Sequence, residues 1–167
     1  MATINLTNPL TSGTNQSFIY RNDVGFIELN VRAADAVISN GGTALANADV
    51  IQLMDLPAGT YIEGAVLEVV TADTDAAADI TANIGYTSAA DVFVDGADLS
   101  ATGFADPGTN GDLTANAVVI STDDTLTLTL GQATAFASND DWVIRVYVKL
   151  TDLSTSGRAR SAKDARV

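Results

Sequence analysis

The sequence predicts an all-β domain: a jelly-roll-like antiparallel β-sandwich of about eight to nine strands with extended terminal arms. Three observations carry that prediction. Short apolar runs alternate with polar residues at a period of two, clusters of Gly, Asp, Asn and Pro separate the runs, and no long amphipathic helical period intervenes. Long, irregular connections favour a jelly roll over an up-and-down barrel, and the chain has no internal repeat at a period of ~20–50 residues, which argues against propellers and solenoids. The expected organisation is an extended arm over residues 1–24, a β-sandwich over 25–153 and a basic tail over 154–167.

Residues 1–17 are rich in Thr, Asn and Ser, hold Pro9 and Gly13, and sustain no period, so they read as an arm rather than an element. Phe18, Ile19 and Tyr20 are placed to anchor it. The first strand is Phe26 to Ala33, with Ile27, Leu29, Val31 and Ala33 on one face and Glu28, Asn30 and Arg32 on the other. A loop through Asn40, Gly41 and Gly42 follows.

Two apolar, β-branched runs, Asp49 to Leu56 and Thr60 to Thr71, flank Leu56-Pro57-Ala58-Gly59-Thr60. Pro57 fixes its own φ and Gly59 tolerates a positive φ, so these residues form a tight reversal, as a β-hairpin or a β-corner. Beyond it the apolar positions shift parity, from Ile62 and Val66 to Leu67 and Val69, which calls for a bulge around Gly64. Asp73 to Asp79 is a short acidic turn. Ile80, Ala82, Ile84 and Tyr86 make the next half-buried strand, and Val92 to Val94 a brief one. From Asp95 to Gly111 small and polar residues dominate, which predicts a long surface excursion of the kind that binds something.

The carboxyl half alternates most clearly. Ala115 to Ser121 leads to a turn at Asp123-Asp124, after which Leu126, Leu128 and Leu130 alternate with Thr125, Thr127 and Thr129. Asn139-Asp140-Asp141 turns into the strand Trp142 to Leu150, whose Trp142, Ile144, Val146, Val148 and Leu150 share one face and Arg145, Tyr147 and Lys149 the other. Trp142 is the only tryptophan and reads as a core or rim anchor.

Composition narrows the chemistry. The chain contains no cysteine and no histidine, which removes disulfides, thiolate and imidazole metal sites, and the Ser-His-Asp and Cys-His constellations. Aspartates are plentiful: Asp73, Asp75 and Asp79; Asp91, Asp95 and Asp98; and Asp123 and Asp124 with Asn139, Asp140 and Asp141. They offer oxygens of the kind calcium takes, but Asp91 to Asp98 lacks the spacing and terminal Glu of an EF-hand loop, and turn formation and solubility account for them more simply. With few aromatics to build a sugar cleft, a two-carboxylate glycosidase is disfavoured. No catalytic residue, cofactor or metal site is expected.

The start of the chain has neither the charged nor the apolar segment of a signal peptide, and no apolar run approaches the ~20 residues of a spanning helix, so no membrane partner and no secretion are expected. Net charge is −13, with the last ten residues at +3 and the rest at −16. Such a body repels phosphate backbones, which disfavours nucleic acid. The basic tail, through Arg158, Arg160, Lys163 and Arg166, suits an acidic neighbour. The chain is 47% hydrophobic and only 17% charged, which reflects either surface covered by other chains or an excess of alanine.

Asp49 to Leu53, the Leu56-Pro57-Ala58-Gly59 turn and the strand Val66 to Thr71 resemble a run found in small structural proteins of tailed bacteriophages, often of marine and cyanobacterial hosts. The resemblance continues in order through Ile84-Gly85, Asp124 to Leu128 with Ala133-Thr134-Ala135, and Val143 to Val148 with Asp152, and so spans residues 49–152. It implies a non-enzymatic capsid decoration or cement protein on the outer surface of a virion assembled in the host cytoplasm. The implied partner is the major capsid protein, and the implied state a homo-oligomer with a trimer favoured. Both termini lie outside the resemblance; an acidic body with arms that order on docking suits the same role. The alternative from the residues alone is a carbohydrate-binding jelly-roll module of a head or tail fibre, using Asp95 to Gly111.

Overall fold

A computed structural model of the chain describes residues 3–5, 25–74, 80–105, 117–132 and 141–153. They form ten strands and one short helix. The strands are β1 (Thr3–Asn5), β2 (Gly25–Arg32), β3 (Val50–Leu56), β4 (Thr60–Thr71), β5 (Ile80–Tyr86), β6 (Ala89–Asp98), β7 (Gly103–Phe104), β8 (Val118–Val119), β9 (Asp124–Gln132) and β10 (Val143–Asp152). The helix, α1, is Ala33–Ser39.

One sheet, sheet A, runs β1-β3-β9-β5-β6; the other, sheet B, runs β2-β10-β4-β7, with β8 also on β4. Every pairing is antiparallel except β1 with β3. Along the chain β2, β3, β4 and β5 alternate between sheets, as do β8, β9 and β10, which gives the all-β sandwich expected from the period-two runs. The strands exceed eight to nine because β1, β7 and β8 are only two or three residues long, too short for a period to register.

The alternation decides the core. Leu126, Leu128 and Leu130 of β9 and Ile80, Ala82 and Ile84 of β5 are buried from sheet A, and Ile144, Val146, Val148 and Leu150 of β10 with Leu29 and Val31 of β2 from sheet B. All belong to one continuous apolar cluster. Trp142 is fully buried within it, and its carbonyl accepts the Ala33 amide at 3.1 Å, where β2 gives way to α1.

The reversal at Pro57 is a corner, not a hairpin, because β3 lies in sheet A and β4 in sheet B. The Thr60 amide donates to the Pro57 carbonyl at 3.1 Å, and Gly59 has φ +91°, the position that only glycine adopts without strain. Farther along β4, Lys149 pairs with Gly64 but Leu150 pairs with Ile62, leaving Glu63 as the extra residue of a bulge. That bulge switches the buried positions from Ile62 to Ala65, Leu67 and Val69. Val66, by contrast, stands on the outer side, only half-buried.

Three segments differ from their expected form. Thr3–Asn5 adds to the edge of β3 as a parallel strand with Ile4 buried, where the polar composition suggested an arm without elements. Ala33–Ser39 turns helical just after β2, so that Ala33 and Ala36 face the core where a longer strand would carry Ala34 outward. Asp95–Asp98 continue β6 instead of opening the excursion, since Ala97 and Leu99 bury between polar neighbours.

Gly85 has no room for a side chain: a Cβ there would lie 2.0 Å from the Ala89 carbonyl oxygen, where β6 folds back across β5. Replacing Gly85 with Ala is expected to cost about 3 kcal/mol or more, because the obstacle is backbone, which moves only with the hairpin. Equilibrium urea unfolding measures this; a midpoint equal to that of the unsubstituted protein would show that the hairpin adjusts freely.

Candidate functional site

The residues singled out for partner binding, Phe18, Ile19, Tyr20, Arg158, Arg160, Lys163 and Arg166, lie outside the described residues, as do Asp75, Asp79, Asn139 and Asp140 of the acidic groups and residues 106–111 of the expected excursion. What the structure does place is the remaining aspartates, a cleft beside β7, and the outer face of sheet B.

The aspartates work as backbone fasteners. Asp123 accepts the Ala58 amide at 2.9 Å and so ties the start of β9 to the corner. Asp124 accepts the amides of Thr87 and Thr125, Asp98 that of Ser100, and Asp49 that of Ala46. Asp141 accepts both the amide and the hydroxyl of Thr74, at 3.1 and 2.7 Å, joining the exit of β4 to the entry of β10. Among the described residues no three acidic side chains converge as a metal site. These are the oxygen-to-amide contacts that make aspartate a turn residue.

A cleft of about 280 Å³ opens between the end of β6 and β7, with Asp95, Asp98, Thr102 and Phe104 among its walls. It lies at the start of the predicted excursion and offers acceptors beside one exposed ring.

The outer face of sheet B is the most elaborated surface. Because β10 alternates, Arg145, Tyr147 and Lys149 point away from the core, between the outward residues of β2 and β4. Arg145 lies 3.6 Å from both Glu28 of β2 and Glu68 of β4 and donates to the Asn30 side-chain oxygen at 3.3 Å. The Tyr147 hydroxyl donates to Glu68 at 2.8 Å, and Lys149 pairs with Glu63, the bulged residue of β4. Phe104 of β7 sits opposite Glu68 in register, with its ring centroid 6.3 Å from that of Tyr147. Val119 of β8 pairs with Tyr61 on the same side.

The electrostatics follow from these contacts. The hydrogen bond to the Glu68 carboxylate, reinforced by desolvation, holds the Tyr147 hydroxyl above its ordinary pKa. Asp141 is held below the ordinary carboxylate range, first by the Thr74 hydroxyl and then by the Thr74 amide. The face carries paired charges and a tilted Phe104–Tyr147 ring pair, features that suit it to contact another surface.

Sequence reasoning placed Arg145, Tyr147 and Lys149 on one face but not what they meet. The signal lay in the glutamates: the chain has only three, Glu28, Glu63 and Glu68, and all stand at outward strand positions. Phe104 carried no such signal, since β7 is two residues long.

No protein-family model matches the chain, and no curated protein is similar to it at a significant level. Two solved structures align with it. The capsid of Ralstonia phage GP4 aligns over 80% of this chain and 87% of its own, at 16% identity and a TM-score of 0.48. The acidic stable capsid structure of Helicobacter pylori bacteriophage KHP30 aligns over 77% and 89%, at 16% identity and a TM-score of 0.33. Both scores lie below the level at which a shared fold follows.

A folded-state pKa below the unfolded value means that the Asp141–Thr74 contact stabilises above the unfolded pKa and is lost as pH falls through the folded one. Asp141→Asn is therefore expected to lower the thermal midpoint at neutral pH and to converge on the parent once pH has fallen below the folded-state pKa of Asp141. Melting curves across that range check it; a difference that persists at the acid end would assign the loss to packing instead.

Proposed function

We propose that this chain is a non-enzymatic structural protein of a tailed-phage virion, acting as a capsid cement or decoration protein that bridges major capsid subunits on the outer surface of the shell. The observation that carries the reading is the ordered resemblance over residues 49–152. Its described stretches are the framework of the sandwich: β3, the Pro57 corner, β4, the end of β5, β9 and β10. The runs that resemble phage structural proteins are thus the ones that make both sheets and the crossing between them.

The physical requirements of the role agree. A cement protein stays soluble before assembly and leaves the genome alone, and a body at −16 does both. It binds several subunits at once, which multivalent contacts achieve without one large interface. In this reading the arm with Phe18, Ile19 and Tyr20 and the tail with Arg158, Arg160, Lys163 and Arg166 supply contacts to the shell.

The copy number in purified virions, by quantitative mass spectrometry, tests the reading. A ratio of about one-third to one copy per major capsid subunit is expected for a protein that follows the symmetry of the shell. A few per cent would overturn it in favour of a fibre or vertex module, for which the Asp95, Asp98 and Phe104 cleft is the place to test glycans. Deleting Ser156 to Val167, or changing Arg158, Arg160 and Arg166 to Glu, is expected to weaken attachment to capsids and flatten its salt dependence while leaving the core folded. Equal occupancy across a salt titration would remove the tail from the mechanism.

A further inference from the structure

We infer that the outer face of sheet B is the surface through which two copies of this chain associate. The argument starts from charge. At −13, two copies repel through any surface that carries the average composition of the chain. The outer face of sheet B does not. It holds all three glutamates, Glu28, Glu63 and Glu68, and all three basic residues found among the described residues, Arg32, Arg145 and Lys149. Apart from Asp152, the last residue of β10, the described aspartates stand elsewhere: in α1, around β3, after β4, on β6, and in the turns before β9 and β10. A second copy meets no net like charge here, whereas nearly every other surface offers it carboxylates.

The apolar pattern points to the same face. Of the five large hydrophobic residues exposed among the described residues, Val70, Phe104 and Val119 lie on the outer side of sheet B, with Phe104 65% and Val119 53% accessible. They flank the half-buried Tyr61, Val66 and Tyr147. The result is Phe104, Tyr147 and Arg145, residue types enriched at protein interfaces, with the glutamates balancing the charge around them.

The occupant that fits is a second copy. A two-fold contact places a patch against itself, so the patch must be self-complementary, and three positive charges among three negative ones meet that requirement. A basic partner would instead favour the aspartate-rich turns. Four strands at ~4.8 Å spacing and ~8 residues at ~3.3 Å rise give a footprint of about 500 Å². A standard interface covers ~800 Å² per partner, so the association is expected to be concentration-dependent rather than obligate.

Sedimentation equilibrium of the full chain tests the inference. Reversible self-association is expected in the micromolar range, strengthening as salt rises from about 50 to about 300 mM, because screening removes the long-range repulsion between acidic bodies. Phe104→Glu is expected to weaken it by about tenfold, and Lys149→Glu similarly. Adding Glu63→Lys to Lys149→Glu restores the charge balance and is expected to recover association; Gln52→Glu, on the outer side of sheet A, is expected to leave it unchanged. Circular dichroism shows that each variant is folded. A chain that stays monomeric at about 100 μM, or association that survives Phe104→Glu and Lys149→Glu yet is lost with residues 154–167, would overturn the inference. The result is separate from the virion reading: dimers of a protein absent from virions would overturn the proposed function and leave this face standing.

Discussion

The pairing of β10 with both β2 and β4 governs most of what this protein presents to its surroundings. Eight residues of β10 are in register with β2 and ten with β4, so β10 is held on both sides along nearly its whole length. A strand fixed in this way cannot slip by one residue without exchanging Ile144, Val146, Val148 and Leu150 for Arg145, Tyr147 and Lys149. The core fixes the register, and the register assembles the polar face.

The bulge at Glu63 illustrates the coupling. Without the extra residue, Ile62 and Leu67 of β4 could not both be buried, since they differ by an odd number of positions. Packing demands the bulge, and Gly64 makes the local bend easy. The displaced residue, Glu63, is then within reach of Lys149. An irregularity that serves the interior thereby completes the charge pairing outside.

Aspartate and glutamate divide the work of acidity. The short aspartate side chain reaches nearby amides and secures turns at Asp49, Asp98, Asp123, Asp124 and Asp141. The longer glutamate side chain reaches across strands to Arg145, Lys149 and Tyr147. The same formal charge is local glue in one case and part of a balanced surface in the other, and only the second leaves a face on which an acidic neighbour can settle.

The sequence by itself determined the strands whose two faces differ: β2, β5, β9 and β10 were legible because burial on one side and water on the other force a period of two. It also determined the turn at Pro57 to Thr60 and the need for a bulge near Gly64, since both rest on local backbone preferences. Only the tertiary structure decided that the turn is a corner between sheets, that Thr3–Asn5 joins β3, and that Gly103–Phe104 and Val118–Val119 cap β4. Those pairings join residues far apart in the chain through backbone hydrogen bonds that carry no side-chain signature. The face of sheet B is of the same kind: its residues were visible singly, and their balance emerges only when β2, β10 and β4 lie side by side.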